Sequence, residues 1–310
     1  SKMIDRREFD AIVRPTILPK EIIVEIILAE KATFCANSSI SEQQIHTKLK
    51  GGISTICSSN QYESGTIGYF CESTKTGDSG VFILSCNHVF ANYDFSPPFH
   101  NENRLDDGNS VTIEKIFQPS TNDNINNNQI AELFRVQELR EYPFTNQIDG
   151  AIAKLEEDFE FDLSILSIGK VQAWKDLMNL PSASRIKLLK RARLYKNGRT
   201  TSKTEGMINN VSIDLMVGYS DKWEIPNQGN ITKIAELKFV NQFQIKPVNN
   251  DFADEGDSGA LVVIKGRVPE WKKTTAVGLL FAKMEIGGVS YGIANHLRYV
   301  YQQLQIKLIL

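Results

Sequence analysis

Residues 251–266 read DFADEGDSGALVVIKG, and within them Gly256-Asp257-Ser258-Gly259 sets a serine between glycines just ahead of an apolar run. Glycine reaches backbone conformations closed to other residues, so this stretch suits a tight turn that presents a hydroxyl. The same four letters stand at Gly77-Asp78-Ser79-Gly80, within STKTGDSGVFILSCNHVF. Both copies lead into β-branched and aromatic residues. That texture runs on from Gly51 in GTIGYF, GVFILS, SVTIEKIF and GAIAKL, between clusters of Gly, Asn, Asp and Ser. Short runs of this kind predict antiparallel strands.

Working outward, residues 1–50 read as a helical arm, with Ser41 as a helix cap. A first β lobe is expected over 51–169, carrying an exposed polar loop at 120–129 (STNDNINNNQ), and a helical connector over 170–193, broken at Pro181. A second β lobe follows over 194–293. The tail, 294–310, places Leu297, Val300, Tyr301 and Leu304 on one helical stripe. The fold class is therefore all-β: two antiparallel barrels, an N-terminal helical arm and a C-terminal helix, with a cleft where the lobes meet.

The chain has 310 residues, with 35 Lys and Arg against 37 Asp and Glu, a net charge of −2. No basic block invites phosphate backbones or an anionic membrane, so neither nucleic acid nor membrane is expected as a partner. The densest apolar run, Ile22 to Leu28, is interrupted by Glu25 and is too short to span a bilayer. Cys35, Cys57, Cys71 and Cys86 form no CxxC pair and are too sparse for a disulfide scaffold, which predicts a reducing, cytoplasmic setting. Without a CxxC or HxxxH pair, no metal or other cofactor is expected. IKLLKRAR at 186–193 reads as a solvated helix face. The arm's EIIVEIILAE reads first as a helix packed on its own domain, and second as a dock for a regulatory partner or another copy.

Acyl transfer by a serine needs a base, a carboxylate to orient that base, and backbone donors for the oxyanion. Of four histidines, His46 lies in the arm, His100 in a loop and His296 at the closing helix; His88 follows the apolar run FILSC. Ser79 and His88 flank one extended segment, which holds them on the order of 20 Å apart. The first GDSG is therefore a hairpin turn. Ser258, in the other lobe, meets no such barrier. Asp149, in NQIDGAIAKL, opens a strand-like run where burial beside a histidine gives an anion a purpose; Asp106, Asp107 and Asp123 read as solvated.

His88, Asp149 and Ser258 follow one another in the chain order given for chymotrypsin-like enzymes. On SGTIGYF, ILSCNHVF, IDGAIAKL, YKNGRTTSKTEG, DEGDSGALVV and AVGLLFA, the chain resembles the trypsin-like, chymotrypsin-fold serine proteases over roughly residues 51–305. Its texture is that of the intracellular, disulfide-free branches, HtrA-type and narrow-leaf-type. The resemblance implies His88 as general base, Asp149 as its orienting carboxylate and Ser258 as nucleophile, with the N–H groups of Gly256 and Ser258 as oxyanion hole. It also puts the floor of the primary substrate pocket at Phe252 and a wall at Phe281, Ala282 and Lys283, with Asp254 and Glu255 at the rim. Secreted relatives insert a new N-terminus beside the residue matching Asp257; that switch is not expected here, nor is a PDZ domain. The implied activity is a serine endopeptidase with restricted protein or peptide substrates. A silent protease-fold binding protein, and an esterase using the same three residues, remain the alternatives.

Overall fold

The computed structural model describes residues 41–59, 64–91, 104–106, 110–112, 114–124, 126–180, 192–225, 229–249, 251–265 and 272–310. Most of the arm, His100, Asp107, Pro181 and all but the last two residues of IKLLKRAR lie outside them.

Two closed rings of strands hold most of the described strands. In the first, Ser54–Cys57 pairs with Gly65–Thr66 on one side and Lys115–Gln118 on the other. The order continues through Asn128–Val136, Ala151–Leu155 and Phe82–Ser85 to Tyr69–Ser73. Gly65–Thr66 and Tyr69–Ser73 are successive parts of one edge, joined where the Ile67 N–H bonds Ile53 and the Gly68 N–H bonds Leu84. Taken as one, they close a six-stranded barrel. Phe70, Phe82, Ile83, Leu84, Ile116 and Ile152 are all fully buried, so both faces of its wall are covered.

The second ring runs Leu194–Gly198, Ser202–Ile225, Gly229–Pro247, Val289–His296, Thr275–Ile286, Leu261–Ile264 and back to Leu194–Gly198, again six strands. Phe243, Ile245, Val262, Val277 and Ala294 line its core. Two of these strands, Ser202–Ile225 and Gly229–Pro247, form one hairpin far longer than the barrel wall requires. The all-β expectation and the two antiparallel barrels are both met.

Leu297–Leu304 is the expected closing helix, burying Leu297, Val300 and Leu304. Beyond it, Ile306–Leu308 returns to the first barrel and pairs with Tyr69–Ser73. Where the arm was expected to continue, Ser41–Gln43 is a single 3-10 turn and Lys48–Gly51 a strand parallel to Glu160–Ile165. Within the expected connector, Gly169–Lys170 and Ala173–Trp174 are short strands, the latter pairing with Thr275–Ala276. Lys48–Gly51 and Ala173–Trp174 take partners distant in sequence, while Gly169–Lys170 folds back on nearby Ser164–Ile165, and these pairings override the local helical spacing. The first GDSG is the turn expected, with Gly77 and Gly80 at φ 96° and 107° between Tyr69–Ser73 and Phe82–Ser85. Asp123 departs from expectation. Its side chain is 2% exposed, paired with Arg199 and hydrogen-bonded by the Ser54 hydroxyl, because an ion pair pulls the polar loop onto the barrel. Among the described residues, no helix is long and apolar enough to cross a membrane.

Candidate active site

The site starts at the end of the strand Phe82–Ser85, where the chain turns into the short helix Asn87–Phe90. No side chain of the preceding residue caps that helix. Asp149 does so from the head of the neighbouring strand Ala151–Leu155: its Oδ1 accepts the N–H of Asn87 at 2.6 Å and of His88 at 3.3 Å. Its Oδ2 meets His88 Nδ1 at 2.5 Å and accepts the Tyr219 hydroxyl at 2.6 Å. The Asp149 side chain is fully buried and that of His88 is 13% exposed, so the ring stands between the anion and solvent. Burial pushes the Asp149 carboxyl up. The charge of the His88 ring and the hydrogen bonds from His88, Tyr219 and Asn87 outweigh it and hold the carboxyl below its ordinary range.

The serine sits on a turn fastened at several points. Gly256 and Gly259 have φ of 92° and 94°, and a Cβ on Gly256 would strike Thr200 and Arg199. Glycine is required there on both counts. From the first barrel, Thr66 holds the turn twice: its hydroxyl donates to the Gly256 carbonyl (2.9 Å) and its N–H to the Ser258 carbonyl (2.8 Å). The Ser258 hydroxyl donates to the Phe281 carbonyl at 3.3 Å. The N–H groups of Asp257, Gly259 and Ala260 are bonded to Asp254, Leu280 and Asp257. Among the described residues, the Gly256 and Ser258 N–H groups have no such acceptor, which leaves two donors on one turn for an incoming oxyanion.

Asp257 is buried and receives five hydrogen bonds. Its Oδ1 takes the N–H groups of Thr200 (2.9 Å) and Thr201 (3.1 Å). Its Oδ2 takes Lys196 Nζ (2.7 Å), the Thr201 hydroxyl (2.6 Å) and the Asp254 N–H (3.0 Å). Lys196 is as fully enclosed as its partner. Burial drives the Lys196 ammonium down from its ordinary range, and the charges of Asp257 and Glu42 oppose that. Glu42, from the turn Ser41–Gln43, is itself buried and accepts the Asn197 side-chain amide at 3.1 Å. A side-chain ammonium is thus the charge that faces Asp257.

Cys86, two residues before His88, and the serine turn meet at Leu280. Cys86 Sγ donates to its carbonyl at 3.2 Å and the Gly259 N–H to the same oxygen at 2.8 Å. Ligand atoms of Cys86, His88 and Asp149 lie within 4.8 Å of one another, the sole grouping of metal-ligand type among the described residues. Its His88 and Asp149 donors already hold each other, and burial lifts the Cys86 thiol well above its ordinary range, against the thiolate a metal would want.

Solved structures similar to this chain include Thermobifida fusca protease A, at 11% identity and TM-score 0.47, covering 84% of this chain and 97% of that one. A glutamic-acid-specific serine protease matches at 13% and 0.48, covering 84% and 100%. Nocardiopsis protease matches at 12% and 0.46, covering 85% and 100%. At such identities the likeness is one of fold. No family model and no curated protein matches the sequence.

Phe252 is fully buried, packed where a Cβ on Gly206 or Gly292 would fall, and so is part of the second barrel's core. Phe281 is 3% exposed and packs at a tilt against Phe239. Ala282 is half-buried, and Lys283 is paired with Asp254 at 2.7 Å. Sequence reasoning missed Lys196 and Tyr219. Lys196 lies in the quoted phrase YKNGRTTSKTEG, and no local signal marks Tyr219.

Proposed function

We propose that this protein is a serine endopeptidase. Ser258 Oγ attacks the carbonyl carbon of a peptide bond while His88 Nε2 takes the hydroxyl proton and Nδ1–H donates to Asp149. The N–H groups of Gly256 and Ser258 receive the oxyanion. The C–N bond then breaks, His88 hands its proton to the leaving amine, and water releases the acyl group by the same steps in reverse roles. The resting bond from Ser258 to the Phe281 carbonyl must be exchanged for one to His88 as substrate enters. Apo geometry of this kind commonly tightens in the complex.

The observation that carries this reading is a buried carboxylate orienting a part-exposed imidazole, together with a serine turn, tied to Cys86 through the Leu280 carbonyl, whose Gly256 and Ser258 N–H groups are unspent. A silent binding protein has no use for that combination. We further propose small side chains at the residue preceding the cut, because Phe252 and Phe281 fill the region that the family resemblance assigns to the primary pocket. A reducing compartment is proposed on the strength of three free, buried cysteines, Cys57, Cys71 and Cys86. Digestion of a peptide library and of simple esters tests the class and the preference together. Peptide cleavage after small residues, reduced on the order of 10⁶-fold in kcat by Ser258→Ala and unchanged by Ser79→Ala, is expected. Ester turnover without peptide cleavage would replace the reading with an esterase, and cleavage after large residues would overturn the pocket assignment.

A further inference from the structure

Tyr219 belongs to the long hairpin of the second barrel, yet its hydroxyl reaches the buried carboxylate of the first. Asp149 accepts four hydrogen bonds. Three come from the helix Asn87–Phe90, and Tyr219 supplies the fourth, at 2.6 Å, on the same oxygen that meets His88 Nδ1. Two donors fixed on one oxygen set the carboxylate's rotation about its own axis, and with it the direction in which His88 is held. The Tyr219 ring also stands edge-on to the imidazole, centroids 5.7 Å apart and planes at 68°, and so walls the base on one side.

The ring is backed by a chain of contacts that ends at the serine. Tyr219 packs on Phe239 (6.3 Å) and Phe239 on Phe281 (4.7 Å), whose carbonyl holds the Ser258 hydroxyl. The hairpin is also stitched to the segment that leads into Asp149. Thr145–Asn146 pairs with Lys238 and Phe239, the Tyr142 N–H donates to Glu236 (2.9 Å), and the Gln242 amide donates to Gln147 (2.9 Å).

We propose that Tyr219 is a positioning residue for the Asp149–His88 pair, and that seating the hairpin Ser202–Ile225/Gly229–Pro247 on the first barrel is what completes the base. The kinetic consequence rests on the protease reading; the effect on the pair itself does not. A hydroxyl shared with Oδ2 draws off part of the negative charge that would otherwise face His88. Without it the oxygen is a stronger acceptor and its direction is less fixed.

The test compares Tyr219→Phe, which keeps the ring, with Tyr142→Phe on the exposed loop as control. Circular dichroism and thermal melting establish that both fold. The first readout is the low-field proton NMR line of His88 Nδ1, identified as the line that His88→Gln abolishes. It moves further downfield in Tyr219→Phe and stays in place in Tyr142→Phe. The second is the rate of reaction with a fluorophosphonate probe, expected to fall about tenfold in Tyr219→Phe alone, the scale of a lost hydrogen bond to a charged group. An unmoved line with equal labelling rates overturns the proposal. Failure of the wild type to label overturns the protease reading instead, and the NMR line then still decides whether Tyr219 governs the pair.

Discussion

Asp257 contacts no reacting atom in this account, yet the serine turn is built around it. Five donors converge on its buried carboxylate, and Lys196 is the only one that carries charge. Removing one member of such a pair leaves the other buried and uncompensated, which costs roughly 3–5 kcal/mol. Lys196→Met is therefore expected to lower the denaturation free energy by about that amount. Because the turn also aims the Gly256 and Ser258 N–H groups, activity should fall further than the loss of folded protein accounts for. Urea titration alongside kcat on the folded fraction measures both; an unchanged midpoint with full activity would show that the turn holds itself. The pairing of His88 with Asp149 could be expected from the sequence, because a carboxylate opening an apolar run needs a partner. Lys196 could not, since a lysine at full burial contradicts its ordinary preference and only the tertiary arrangement explains it.

The helix Asn87–Phe90 depends on an acceptor outside itself, and this gives the element a pH response. The Asp149 carboxyl is held below its ordinary 3.8 in the folded state. Its contribution to stability is therefore complete above the unfolded-state value and is lost as pH falls through the lower, folded one. Denaturant midpoints measured from pH 7 down to pH 3 should decline steeply below about pH 4 in the wild type. Asp149→Asn should start from a lower midpoint and decline less over that interval. Parallel curves for the two proteins would detach Asp149 from acid stability. Strand existence was legible in the sequence because alternation and turn residues are local. The strands Ala173–Trp174 and Lys48–Gly51 were not, since their partners, near Thr275 and Glu160, stand far off in the chain and no periodicity of two to four residues can announce them. The long hairpin also read as ordinary strands, without a sign that it bridges to the other barrel.

Across the whole molecule, each barrel supplies what the other lacks. The first contributes His88, Asp149 and the Thr66 staple; the second contributes the serine turn, Lys196 and Tyr219. One apolar cluster runs through the junction, joining Phe70 and Leu84 of the first barrel to Phe239, Leu279 and Phe281 of the second. The terminal strand Ile306–Leu308 adds a covalent return from the second barrel to the first. The two-barrel architecture could be anticipated because both lobes announce themselves by texture, whereas the ties between them are contacts that no stretch of sequence contains. The central claim is that these ties bring one imidazole to one hydroxyl. Fluorophosphonate labelling followed by mass spectrometry of the adduct tests it most directly. A single adduct on Ser258 is expected in the wild type and in Ser79→Ala, and none in Ser258→Ala or His88→Ala. An adduct on any other residue, or labelling of Ser258 that persists undiminished without His88, would contradict it.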